Sequence, residues 1–160
     1  MRRMTAGEVR VARDALGMTP QQLGDAIGGI SARAVQNFEW GKYAVPHELG
    51  ENIRALQKDM RERVESLAAY LRDNPEATVV VFSEEGRDQL PEKVPPAYQD
   101  VAKFGAKWWR LVVARATEDL PDAHVGSPTE VHKHGKDWWE AVTQRPSNGP
   151  PPTPREATTD

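Results

Sequence analysis

The chain has 160 residues, a formal net charge of −3, 38% hydrophobic residues and no cysteine. That length allows one domain or two small ones, and the missing cysteine excludes disulfides and thiolate metal sites. No apolar run reaches the length of a membrane span, so no membrane partner is expected, and the net charge does not advertise a nucleic-acid binder.

Met1-Arg2-Arg3 starts like a secretory n-region, but Glu8, Arg10, Arg13 and Asp14 interrupt the apolar segment that a signal would need next, so the expected location is the cytoplasm. Thr5-Ala6-Gly7-Glu8 is a capping-box pattern, with Thr5 as cap and Glu8 reaching back to it. Val9, Ala12 and Leu16 come next at helical spacing, and Gly17 stops this first helix. Thr19-Pro20-Gln21-Gln22 opens a second helix with a second capping box and a proline at its first position. Leu23, Ala26 and Ile27 face inward, and Gly28-Gly29 turns the chain.

Ser31 then caps a third helix, because its hydroxyl accepts from a free backbone N–H. Val35 and Phe38 share a dry face, with Leu49 beyond the loop packing behind them, and Gly41 ends the helix in a left-handed turn. Ala32, Arg33, Gln36 and Asn37 point the other way. Such a face suits a major-groove reader, since Arg pairs with guanine and Gln or Asn with adenine. Lys42 and Tyr43 lie just past it, where loops commonly meet phosphate. Residues 1–60 hold eight Lys/Arg against seven Asp/Glu, which leaves +1. Any basic face is therefore local, and phosphate affinity should be moderate and salt-sensitive.

Val45-Pro46 begins a fourth helix, with Glu48 and Glu51 where the helix dipole favours negative charge. Leu49, Ile53, Leu56, Met60, Val64, Leu67 and Leu71 form an unbroken apolar stripe up to the Asn74-Pro75 stop. Three short helices cannot cover its length, so Val64, Leu67 and Leu71 need another partner. Residues 77–82 read as a short β run, which must pair with something. After a polar stretch with Pro91, Pro95 and Pro96, one broad face of Tyr98, Val101, Gly105, Trp108, Trp109, Val112 and Ala116 predicts a helix over 97–117. Residues 131–142, with Trp138 and Trp139, read as one more short helix, and five of the last sixteen residues are proline, which reads as disorder. The expected division is 1–58, 59–120 and a largely disordered Pro-rich tail at 121–160.

The helix order, the two caps and the Glu39–Gly41 pair resemble the helix-turn-helix domain of the phage-repressor (Cro/C1-type) superfamily. Two departures stand out. Pro20 replaces the second-helix glutamine that clamps a phosphate in that family, and the turn Ile27-Gly28-Gly29-Ile30-Ser31 is one residue longer than usual. The longer turn, Ser31-Ala32-Arg33, Phe38-Glu39-Trp40-Gly41 and Val45-Pro46 are similar to one branch, the anti-CRISPR-associated repressors and their YdiL-like bacterial relatives. The likeness extends over about residues 5–120, through the long helix, the Asn-Pro break, the strand and the aromatic helix of Phe104 to Trp109. It implies a mainly α protein with a lambda-repressor-like N-terminal bundle, a long linking helix and a small α+β dimerisation unit. It also implies a homodimeric, sequence-specific transcriptional repressor on an inverted-repeat operator, its own promoter among the candidate targets. By position, the DNA-binding residues become Ser31, Ala32, Arg33, Gln36 and Asn37, with Lys42 and Tyr43 beside them.

Dimerisation is expected to use Val64, Leu67, Leu71, Val79, Val81, Trp108, Trp109 and Val112. One small strand-and-helix unit has too little interior to hide them alone, and β pairing with the symmetry mate is one solution. Trp108 and Trp109 read as core or interface rather than a nucleobase platform. His132 and His134, with His124 and Asp137 nearby in the sequence, could suggest a metal, but two His at i, i+2 do not share a helix face and a third ligand is not specified, so no metal is expected. No nucleophile–base pair, phosphate-cradling loop or paired-carboxylate site stands out; neither an enzyme nor a cofactor is expected, and Glu39 reads as a fold-stabilising contact. An antitoxin-like module that binds a partner protein through its C-terminal part is the alternative. RNA is a third partner class, because phosphate-directed contacts serve both polymers.

Overall fold

Each of the first three helices begins on a side-chain cap and is turned by glycine. α1 (Ala6–Leu16) starts from the Thr5–Glu8 capping box, and α2 (Pro20–Ala26) from the Thr19–Gln22 box with Pro20 in its first turn. α3 (Ala32–Glu39) starts from Ser31, whose Oγ accepts from the Ala34 N–H at 3.1 Å. α1 and α3 end alike. Gly17 (φ 65°) and Gly41 (φ 71°) take the left-handed conformation, and paired N–H groups close back on the last turn: Met18 to Arg13 and Gly17 to Asp14, Lys42 to Asn37 and Gly41 to Phe38. This is the Schellman arrangement, which satisfies carbonyls that the helix itself leaves free. A computed structural model describes residues 2–83 and 98–128, and among them the chain is mainly helical with one small sheet.

The chain divides into two compact units, Met1–Glu62 and Arg63–Asp160, and the division falls inside α4 (His47–Asp73). In the first unit Val9, Ala12, Leu16, Leu23, Ile27, Val35, Leu49 and Ile53 form the core. Phe38 differs from expectation: it is half-buried, and Val35 is the fully buried residue of α3. Gly24, unremarked in the sequence pattern, is buried at the contact between α2 and the turn before α3. A Cβ there would lie 2.1 Å from the Ile30 carbonyl oxygen, while the Gly24 carbonyl accepts from Gly29 and Ile30 at 2.9 and 3.1 Å. Asn52 of α4 donates to the Ile27 carbonyl at 3.3 Å and ties that turn down.

In the second unit β1 (Thr78–Val80) is not left for another chain. It pairs in parallel with β2 (His124–Gly126), Val79 opposite Val125. At Val80 the N–H donates to the Tyr98 hydroxyl (3.3 Å) and the C=O accepts from Trp109 Nε1 (2.7 Å), so side chains close β1 where it turns from β2. The expected pairing with a symmetry mate is corrected accordingly. β2 also falls inside the stretch expected to be tail; disorder from residue 121 onward is corrected for 121–128. The single helix expected over 97–117 is two, α5 (Gln99–Phe104) and α6 (Ala106–Thr117), broken at Gly105 with φ 101°, ψ 161°. Only glycine adopts such a conformation readily. The expected helix at 131–142, His132, His134 and Asp137, and the proline-rich end lie outside the described residues.

Candidate nucleic-acid interface

α3 carries the candidate site because its two faces differ. Val35 is 1% exposed and anchors the helix. Around the other side run Arg33, Gln36, Asn37 and Trp40, spaced i, i+3, i+4, i+7, which puts them along one stripe. Arg33 is exposed, Gln36 and Asn37 are half-buried, and Trp40 is 60% exposed. The Arg33 guanidinium carbon lies 5.3 Å from the centre of the Trp40 ring, within cation–π range. Beyond the helix Lys42 and Tyr43 are both exposed, with Lys42 Nζ 5.5 Å from the Tyr43 ring centre. Ser31 is exposed but spends its oxygen on the cap, and Ala32 is half-buried.

Two polar features set the stripe apart. Asn37 Oδ1 is buried and has no hydrogen-bond partner. A buried unpaired acceptor costs about 1–3 kcal/mol, so one beneath an otherwise solvated face asks for a donor. Glu39, by contrast, is fully committed. Its carboxylate, 2% exposed, takes Arg13 Nε on one oxygen and Arg13 Nη2 (3.4 Å) on the other, while Arg13 Nη1 donates to the Met18 carbonyl at 3.0 Å. That pair locks the end of α3 to α1 and leaves Glu39 no chemistry to offer. Sequence reasoning missed Trp40 as a partner of Arg33. The seven-residue spacing, two helical turns, was the available signal.

The residues expected at a dimer interface are placed differently. Leu67, Leu71, Val79, Trp108, Trp109 and Val112 are all buried within one chain, between 0 and 5% exposed. Val64 and Val81 are half-buried. The premise that these side chains need a second copy is therefore corrected. A chain of edge-on aromatic contacts fills the unit instead: Phe82 on Tyr98 (5.5 Å, 88°) and Tyr98 on Trp109 (5.8 Å, 84°). Arg63 lies 5.2 Å from the Trp109 ring centre, and burial lowers its pKa despite nearby Asp100. Burial likewise pushes the Tyr98 hydroxyl well above its usual range.

Among the described residues no three His, Cys, Asp or Glu side chains group as metal ligands, and no helix is long and apolar enough to cross a membrane. Neither protein-family models nor curated proteins contain a match to this chain.

Proposed function

We propose that this protein binds duplex DNA sequence-specifically through α3 and acts as a transcriptional repressor. One observation carries the reading. A short helix, fixed on its dry side by Val35 and at its end by the Arg13–Glu39 pair, offers solvent a stripe of Arg33, Gln36, Asn37 and Trp40. Arg and amide side chains on a rigid helix are the groups that match purine edges in the major groove. Lys42 and Tyr43 stand where a phosphate would pass.

A homodimer on an inverted repeat belongs to the proposal, because a single eight-residue helix spans few base pairs. Its interface lies elsewhere than on the six buried side chains of the second unit's core. The test is selection of the full chain against a duplex pool with a randomised core, alongside a single-stranded RNA pool of equal length. Enrichment of one duplex motif, with affinity falling as salt rises, is the expected result. Enrichment from the RNA pool alone, or none, overturns the reading.

A further inference from the structure

Arg33 and Trp40 are exposed, yet each is held by the other. Among the described residues the guanidinium of Arg33 has no carboxylate partner and makes no hydrogen bond; its contact is the Trp40 ring, whose centre lies 5.3 Å from the guanidinium carbon. All five of its N–H donors are therefore unspent. Among the described residues the Trp40 indole in turn makes no hydrogen bond. It is 60% exposed, and the helix end uses only the Trp40 backbone, whose N–H donates to the Gln36 carbonyl at 2.9 Å and whose φ of −84° suits any residue.

The geometry arises from helix direction. Seven residues separate the pair, nearly two full turns, so both side chains leave the helix on the same side about 10 Å apart. A helical side chain leans toward the N-terminus, which brings the indole back along the stripe. Arg33 meets it by extending the opposite way. The guanidinium thus reaches along α3 toward the ring, on the stripe that also carries Gln36 and Asn37. The electron-rich ring face attracts the cation without consuming a donor. A carboxylate at the same place would hold Arg33 equally well but would occupy two of its donors and repel an incoming anion.

We infer that Trp40 is a positioning residue for Arg33: the indole holds the guanidinium extended along α3, so that its two-donor edge meets the O6 and N7 acceptors of one guanine. The inference rests on the proposed DNA reading and adds to it a residue, a role and a base. A free arginine side chain loses rotamer freedom when it docks, and a side chain already held loses less. The benefit appears only where Arg33 reads a base, so Trp40 should act on discrimination at one base pair and leave phosphate-directed affinity alone. Trp40 needs no contact with DNA for this, which separates the role from that of a wedge or a stacking platform.

The experiment uses the full chain and synthetic duplexes carrying the motif recovered from the randomised pool, with each position changed in turn to the other three base pairs. Wild type, Trp40→Ala, Trp40→Phe, Arg33→Ala and the double substitution are titrated at one salt concentration, with circular dichroism and melting as folding controls. Trp40→Ala should lower the preference for guanine at one position by about three- to tenfold. Trp40→Phe, which keeps a ring with a weaker face, should recover part of that preference. Adding Trp40→Ala to Arg33→Ala should change nothing further, because the indole acts through the guanidinium. Equal weakening on every duplex, unchanged discrimination, or losses that multiply in the double variant each overturn the inference while leaving DNA binding intact. A wild-type chain that recovers no duplex overturns the DNA reading, and the inference with it.

Discussion

Arg13 of α1 and Glu39 at the end of α3 form a two-pronged ion pair across 26 residues of sequence, with 11% and 2% of their side chains exposed. Their separation in the chain hides the pairing from any local pattern, yet it fixes where the candidate reading helix stops. Breaking a buried pair from one side leaves the other charge uncompensated. Arg13→Ala or Glu39→Ala should therefore lower the stability of the first unit by about 3–5 kcal/mol. Replacing both by Met and Leu should cost much less, because no charge is then stranded. Hydrogen exchange of the α1 and α3 amides reads the unit separately from the rest of the chain; equal losses in the single and double variants would contradict this account.

Gly24 sets the approach of α2 to the turn before α3. With a Cβ position 2.1 Å from a backbone oxygen, Gly24→Ala forces the turn to move and should destabilise by about 1–3 kcal/mol. Gly7 provides the contrast. It lies in α1 with open space around its Cβ position, so Gly7→Ala should stabilise by up to about 1 kcal/mol. Opposite shifts in melting temperature are expected, and a neutral Gly24→Ala would mean that the contact relaxes freely.

Val80 is where the second unit joins sheet and helix. Trp109→Phe removes the donor to its buried carbonyl, and Tyr98→Phe removes the acceptor for its buried N–H. Each should cost about 1–3 kcal/mol, measured by chemical denaturation. A charged residue at Val112, 0% exposed, should unfold this unit rather than separate subunits. A folded Val112→Glu protein of smaller assembly size would restore the interface role that burial argues against.

Local chemistry made much of the first unit legible. The Thr5, Thr19 and Ser31 caps, the Gly17 and Gly41 stops and the Val9–Ala12–Leu16 stripe each act within a few residues, and such signals survive in sequence. What stayed hidden is nonlocal. The parallel pairing of β1 with β2 joins residues 46 apart across a stretch with no strong strand pattern. The break at Gly105 was invisible because the apolar spacing continues through it, and only glycine's tolerance of positive φ reveals the option. At the candidate site, Arg33, Gln36 and Asn37 were readable from helix periodicity. The seven-residue spacing puts Arg33 and Trp40 on one side of the helix, but that the two side chains lean together needed directions that periodicity does not carry.

Glu8 supplies an acid-sensitive contact. The Arg2 guanidinium, then the Thr5 N–H at 2.7 Å, hold its carboxyl down from the ordinary 4.5 to about 2. A group depressed in the folded state adds stability above its unfolded value and loses it as pH falls through its folded value. The contribution should thus be complete above about pH 5 and fade between about 4.5 and 2. Glu8→Gln keeps an acceptor for the capping box without the charge. Melting curves of the two proteins should converge as pH falls through that window; a constant separation down to pH 2 would contradict the assignment.

The claim that α3 reads DNA is tested most directly by Arg33→Ala, titrated against the duplex motif selected by wild type, at fixed salt and with circular dichroism as the folding control. Arg33 is exposed and has no role in the core, so the fold should be unchanged. Specific affinity should fall by about 1–3 kcal/mol, with loss of preference at a single base pair. An Arg33→Ala protein that binds the motif with unchanged affinity and unchanged preference would contradict the account.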